Sequence, residues 1–124
     1  MMILGVGVDL VSVPRIERII ARSPRFLRRV YHPVEIEEAN GRPDRFATRF
    51  AAKEAWLKAM ALPLFTVPLT EVRIEIGRSG QPQLHLDGRA AELARERNVH
   101  NCHVSLSHTA TEAVAVVVLE GEKS

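Results

Sequence analysis

Hydrophobic residues along the chain follow two periods, and the change from one to the other divides it near residue 68. Before that point most apolar residues fall at helical spacing. Ile16, Ile19 and Ile20 make one side of a helix in "VPRIERIIARS", with Ser12 placed to cap it and Pro14 in its first turn. "PRFLRRVY" and "PVEIEEAN" predict two short helical pieces punctuated by prolines, and "NGRP" breaks the chain before a long helix from about Asp44 to Ala61. In that helix Phe46, Phe50 and Leu57 share one side, widened by Trp56 and Met60, as a core-facing helix requires. Ala47, Ala51, Glu54 and Lys58 line a neighbouring side, where two alanines leave room for something to approach beside opposite charges. Pro63 and Pro68 end the helix and make a loop.

Beyond the loop the period shortens to two. Val72, Ile74 and Ile76 alternate with charged residues in "LTEVRIEIG", a "RSGQP" turn follows, and "QLHLD" completes a predicted hairpin. "GRAAELARERN" predicts a helix with Leu93 inward, and "CHVSLSH" with "TEAVAVVVLE" predicts a second hairpin. The opening "MILGVGVDLV" is apolar and rich in β-branched residues, which predicts a buried strand whose Gly5 and Gly7 permit close backbone approach, with Asp9 interrupting it near its end. The order of elements predicts an α+β fold, a long helix packed against a mostly antiparallel sheet, with residues 1–124 forming one domain.

Composition adds few constraints. With 46% hydrophobic and 26% charged residues the chain is ordinary for a globular domain, and no apolar run approaches the roughly 20 residues of a membrane helix. The opening has no basic leader, and the lone Cys102 excludes an internal disulfide; a cytoplasmic protein is expected. The net charge of +2 is unevenly spread: Arg15, Arg18, Arg22, Arg25, Arg28 and Arg29 face only Glu17 between residues 15 and 29. Such an excess asks for nucleic acid, a membrane surface or an acidic protein. No aromatic residues alternate with these arginines to stack bases, so an acidic helical protein is the preferred partner, with neither nucleic acid nor membrane expected.

Asp9 and Glu54 are two carboxylates that a compact fold can bring together. Magnesium (Mg2+) accepts one or two protein carboxylates and completes its shell with water and phosphate oxygens, so this pair suits magnesium held with a phosphorylated ligand, and Lys53, Lys58 and Arg49 would be phosphate partners. The plainer alternative makes Asp9 a loop cap and Glu54 a surface ion pair with Lys58. In "VHNCHVSLSH", His100, Cys102, His103 and His108 are zinc ligand types, but their spacing fits no finger and strand alternation sends Cys102 and His103 to opposite faces. Ser107 and His108 also point apart, with no glycine-flanked elbow to make the serine a nucleophile. His108 at the strand end is better placed to donate to a ligand, or simply to satisfy a turn.

Taken together, "GVGVDLVSVPRI", "RFAAKEAWLKA" and "HVSLSH" resemble the holo-acyl-carrier-protein synthases, the small class of 4'-phosphopantetheinyl transferases, in order, spacing and length. The resemblance implies a homotrimer with active sites at subunit interfaces. Such an enzyme uses coenzyme A and magnesium to modify a serine of acyl carrier protein and releases adenosine 3',5'-bisphosphate. Asp9 and Glu54 match the family's metal-binding carboxylates and Lys58 its phosphate-contacting lysine, so these three are the expected catalytic residues. Arg49 and His108 match coenzyme A contacts, while Gly80 and Pro82 match a turn that borders the nucleotide in the neighbouring subunit. Arg15, Arg18 and Arg22 fall on the helix presented to the acidic carrier. Two departures stand out: "KAMALPLFTVP" replaces a glycine-rich turn of the type "KALGTG", and "YHPVE" replaces a leucine-threonine helix entry while keeping Glu35.

Overall fold

In a computed structural model, which describes residues 1–123, the chain begins with β1 (Met2–Ser12) and then runs through four helices, α1 (Val13–Arg22), α2 (Pro24–Val30), α3 (Pro33–Ala39) and α4 (Pro43–Ala59). A single 3-10 turn (Leu69–Glu71) leads to β2 (Val72–Ile76) and β3 (Pro82–Leu86), followed by α5 (Gly88–Glu96), β4 (Val99–His108) and β5 (Glu112–Gly121). The helix starts are written in the sequence. Each of the first four helices carries a proline in its opening turn, where no amide hydrogen is needed. Ser12 Oγ accepts from the Arg15 amide at 3.2 Å, Ser23 Oγ from the Phe26 amide at 3.1 Å, and His32 Nδ1 from the Val34 amide at 3.1 Å.

The strands form two antiparallel sheets rather than one: a three-stranded sheet in the order β1-β5-β4, and a separate β2-β3 hairpin. The expected single sheet divides because β3 lies beside β4 without joining its hydrogen-bonded ladder. Helix α4 crosses the three-stranded sheet at very short range. A Cβ placed on Gly7 would lie 1.9 Å from the Ala55 carbonyl oxygen, and one on Gly5 2.1 Å from that of Ala59, so only glycine on the strand against alanine on the helix permits this contact.

Two core regions result. One joins the C-terminal half of α4, through Trp56 and Leu57, to Val72, Ile74, Leu93 and the inward face of β5. The other gathers α1, α2 and α3 around the start of α4, where the Tyr31 hydroxyl donates to the Phe46 carbonyl at 2.8 Å and the two rings meet edge to face.

Two expectations need correction. Ala47 and Ala51 do not leave α4 open; both are fully buried, because the space beside them is filled by the protein's own core. Nor is β1 buried throughout. It is an edge strand whose residues alternate, with Gly7 turned inward while Val6, Val8 and Leu10 are 59%, 53% and 61% exposed.

Candidate active site

Asp9 sits on β1 opposite Ala115 of the central strand. Because side chains alternate along β1, it shares the inward parity of Gly7 while Val8 and Leu10 point out. Lys58, in the last turn of α4, reaches back to it: Nζ donates to Asp9 Oδ1 at 2.8 Å and to the Val8 carbonyl at 3.1 Å. Glu54 lies one turn earlier on the same helix face. Burial raises the Glu54 carboxyl above the ordinary glutamate value, the Asp9 charge raises it further, and Lys58 opposes both. The structure therefore brings Asp9, Glu54 and Lys58 into one cluster with an excess of negative charge.

A second group gathers around the first half of α4. An open cleft of about 430 Å³ lies there, lined by Arg49 and His108 together with Glu38, Arg42, Asp44 and Arg45. Arg49 is only 6% exposed; it donates to Glu38 Oε1 at 2.7 Å and to Thr48 Oγ1 at 3.2 Å, and its Nε has no partner among the described residues. His108, at the end of β4, places Nε2 3.4 Å from Asp44 Oδ2. Burial alone would raise the Asp44 carboxyl, but the hydrogen bonds and charge of Arg42 outweigh it and hold the group below the usual carboxylate range.

The remaining candidates lie apart from both groups. Gly80 occupies the β2–β3 turn at φ +85°, with open space around it, and Pro82 begins β3 along a groove shared with Ser105 of β4. Arg15, Arg18 and Arg22 are exposed on α1, whose Ile16 is buried. Lys53 is a correction. It is fully buried, and its Nζ donates to Glu35 Oε1 at 2.7 Å, to the Leu69 carbonyl at 3.0 Å and to the Val72 carbonyl at 2.6 Å, which leaves no donor for a phosphate. Burial lowers its pKa and Glu35 opposes that shift. No group of three or more His, Cys, Asp or Glu side chains that could hold a metal ion occurs among the described residues. Glu38, Arg42, Asp44 and Arg45 escaped the sequence reading because they meet only when α3, the start of α4 and the end of β4 converge.

The profile of the 4'-phosphopantetheinyl transferase superfamily matches residues 5–117, a span that holds Asp9, Glu54, Lys58 and the cleft alike. The chain belongs to this superfamily. Among 4'-phosphopantetheinyl transferases it is 48% identical, over 127 aligned positions, to the holo-[acyl-carrier-protein] synthase of Anaeromyxobacter sp. (strain K), an alignment covering 97% of this chain and 98% of that one. Its fold is similar to that of the Helicobacter pylori holo-[acyl-carrier-protein] synthase in complex with coenzyme A, with a TM-score of 0.85, 31% identity, and 93% and 99% of the two chains covered. It is also similar to the ACPS–CoA complex of Chronobacterium ammoniagenes, with a TM-score of 0.88, 28% identity, and 99% and 100% covered. The shared fold thus covers nearly all of the described residues.

Proposed function

We propose that the protein transfers the 4'-phosphopantetheine group of coenzyme A to a serine of apo acyl carrier protein and releases adenosine 3',5'-bisphosphate. The observation that carries this reading is the meeting of Asp9, Glu54 and Lys58 in a chain that matches holo-[acyl-carrier-protein] synthases over nearly its full length. In the reaction the serine oxygen bonds to the β-phosphorus of coenzyme A as the bridging oxygen leaves with the nucleotide. Charge builds on phosphoryl oxygens, and a positioned cation stabilises it.

Asp9 and Glu54 are assigned as the residues that hold magnesium. Two neighbouring carboxylates with no histidine or thiol among them suit a hard cation, and the disfavoured charge of Glu54 is what a cation would relieve. Bound there, magnesium supplies Lewis-acid stabilisation of the phosphoryl oxygens. Lys58 contributes a mobile point charge on the leaving side, since its ammonium is largely exposed while tethered to Asp9. The serine proton would pass to Glu54 itself or to water beside it. Arg49 and His108 hold coenzyme A in the cleft that both line, where a guanidinium suits an anion. The exposed Arg15, Arg18 and Arg22 receive the acidic carrier.

The assembly proposed is a homotrimer. Val6, Val8 and Leu10 form a continuous exposed apolar row on an edge strand, an arrangement that a monomer normally blunts with charge. A trimer covers that row and brings the turn containing Gly80 and Pro82 to a neighbour's nucleotide. No described helix is long and apolar enough to cross a membrane, and we assign the enzyme to the cytoplasm.

The test is the intact mass of apo acyl carrier protein after incubation with the enzyme, coenzyme A and magnesium. A gain of one phosphopantetheine group that disappears with chelator is expected. Carrier binding without a mass gain would replace the transferase with a non-catalytic adaptor. Displacement of the carrier by DNA would assign the arginines to nucleic acid instead.

A further inference from the structure

Helix α3 presents two glutamates to the rest of the molecule, three residues apart, and each makes the same kind of bridge. Glu35 accepts from Lys53 of α4 and, at 2.9 Å, from the Ile74 amide of β2. Glu38 accepts from Arg49 of α4 and, at 3.4 Å, from the Ile76 amide of β2. The spacings agree: three along α3, four along α4 and two along β2 each advance the bridge by one step. The two steps differ in surroundings. Glu35 and Lys53 are sealed from solvent, whereas Glu38 is part-exposed and, with Arg49, lines the cleft.

A buried guanidinium with one terminal nitrogen on a carboxylate and the other on a hydroxyl cannot turn freely. Glu38 thus holds the plane of the Arg49 guanidinium, whose two terminal nitrogens each keep a second hydrogen for a ligand while Nε is sealed inside. We infer that Glu38 is a positioning residue for coenzyme A: it aims the Arg49 guanidinium at the phosphates of the nucleotide half and holds the β2–β3 hairpin at the rim of the same cleft. The inference rests on the transferase reading and on Arg49 as a coenzyme A contact. It adds a residue that acts through Arg49.

A competing charge and an aiming acceptor have opposite effects, which makes the idea testable. Without Glu38 a phosphate would meet less negative charge, so a merely repulsive carboxylate predicts tighter binding in Glu38→Ala. Positioning predicts the reverse: KM for coenzyme A and Kd for adenosine 3',5'-bisphosphate rise about tenfold, while kcat and KM for the carrier stay within about twofold. Glu38→Gln keeps an acceptor oxygen at the same reach and restores both constants to within about threefold of wild type. In a double-variant cycle, Glu38→Ala costs no further coenzyme affinity once Arg49 is lysine.

If Glu38→Ala does not fold, Glu38→Asp replaces it, and an unchanged KM for coenzyme A there would overturn the inference. So would tighter binding in Glu38→Ala, or additive effects in the cycle. A wild-type enzyme that transfers nothing would instead refute the transferase reading itself. An active wild type with an indifferent Glu38→Ala refutes only the positioning role.

Discussion

Replacing Lys53 with methionine separates a structural lysine from a phosphate-binding one. Methionine matches the lysine stem in length and apolar character, so the loss is confined to the ammonium, including its position over the Tyr31 ring. Three acceptors lose their donor: Glu35 Oε1, the Val72 carbonyl and the Leu69 carbonyl. Glu35 keeps the amides of His32 and Ile74, yet its charge stays sealed from water without a cation. Breaking a buried pair by removing one partner costs about 3–5 kcal/mol. In a chain of this size each kcal/mol moves Tm by about 3–5 °C, so Lys53→Met should lower Tm by about 10–20 °C at neutral pH. Circular dichroism melts, with transfer rates measured at a temperature where the variant is folded, test this. A Tm loss under about 5 °C would refute the buried-pair argument, and a folded variant with a large fall in kcat would return Lys53 to the phosphate.

Further outcomes are expected elsewhere in the molecule. Asp9→Ala and Glu54→Gln should abolish transfer while leaving the fold intact; Glu54→Gln should melt slightly higher than wild type at pH 8, because a carboxyl raised by burial and Asp9 stabilises the fold only while protonated, and that advantage should fade as the pH falls toward the ordinary glutamate value. Added magnesium should raise the melting temperature of wild type but not of either variant; an equal rise in all three would remove the metal assignment. Gly7→Ala should drive a methyl into the Ala55 carbonyl and destabilise by about 1–3 kcal/mol, with calorimetry showing an unchanged Tm if the close contact is not real. Val8→Glu should leave a folded monomer by sedimentation and reduce transfer, since its turn residues would no longer reach a neighbour; a trimer that persists would move the interface elsewhere.

Where information is local, the sequence was enough. The prolines and serines that open α1 and α2 are legible as caps because a cap needs only its own next three residues. The strand–helix cluster was legible in its members, Asp9, Glu54 and Lys58, but not in its bonds: nothing in the spacing says that Lys58 reaches across to Asp9 rather than to Glu54 four residues earlier. Lys53 was misread for a physical reason. It occupies the helix face next to Glu54, but its partner Glu35 lies eighteen residues away, and only tertiary packing turns an apparent surface cation into a buried one. The opening strand likewise reads as buried because its apolar residues fall on both faces, while only one face packs on the chain's own core.

The pairing of β1 with β5 sets a condition on the time course of folding. Met2 stands opposite Gly121 and Asp9 opposite Ala115, so the first strand to be synthesised finds its hydrogen-bonding partner only in the last. Contacts of such long sequence separation must await closure of nearly the whole chain, which places this domain on the slow side for its size. While the chain is still being made, the α1–α3 segment can gather on the early part of α4, but β1 remains an unpaired apolar edge, open to aggregation. Asp9, which precedes every helix of the domain, takes its place only once β5 has arrived.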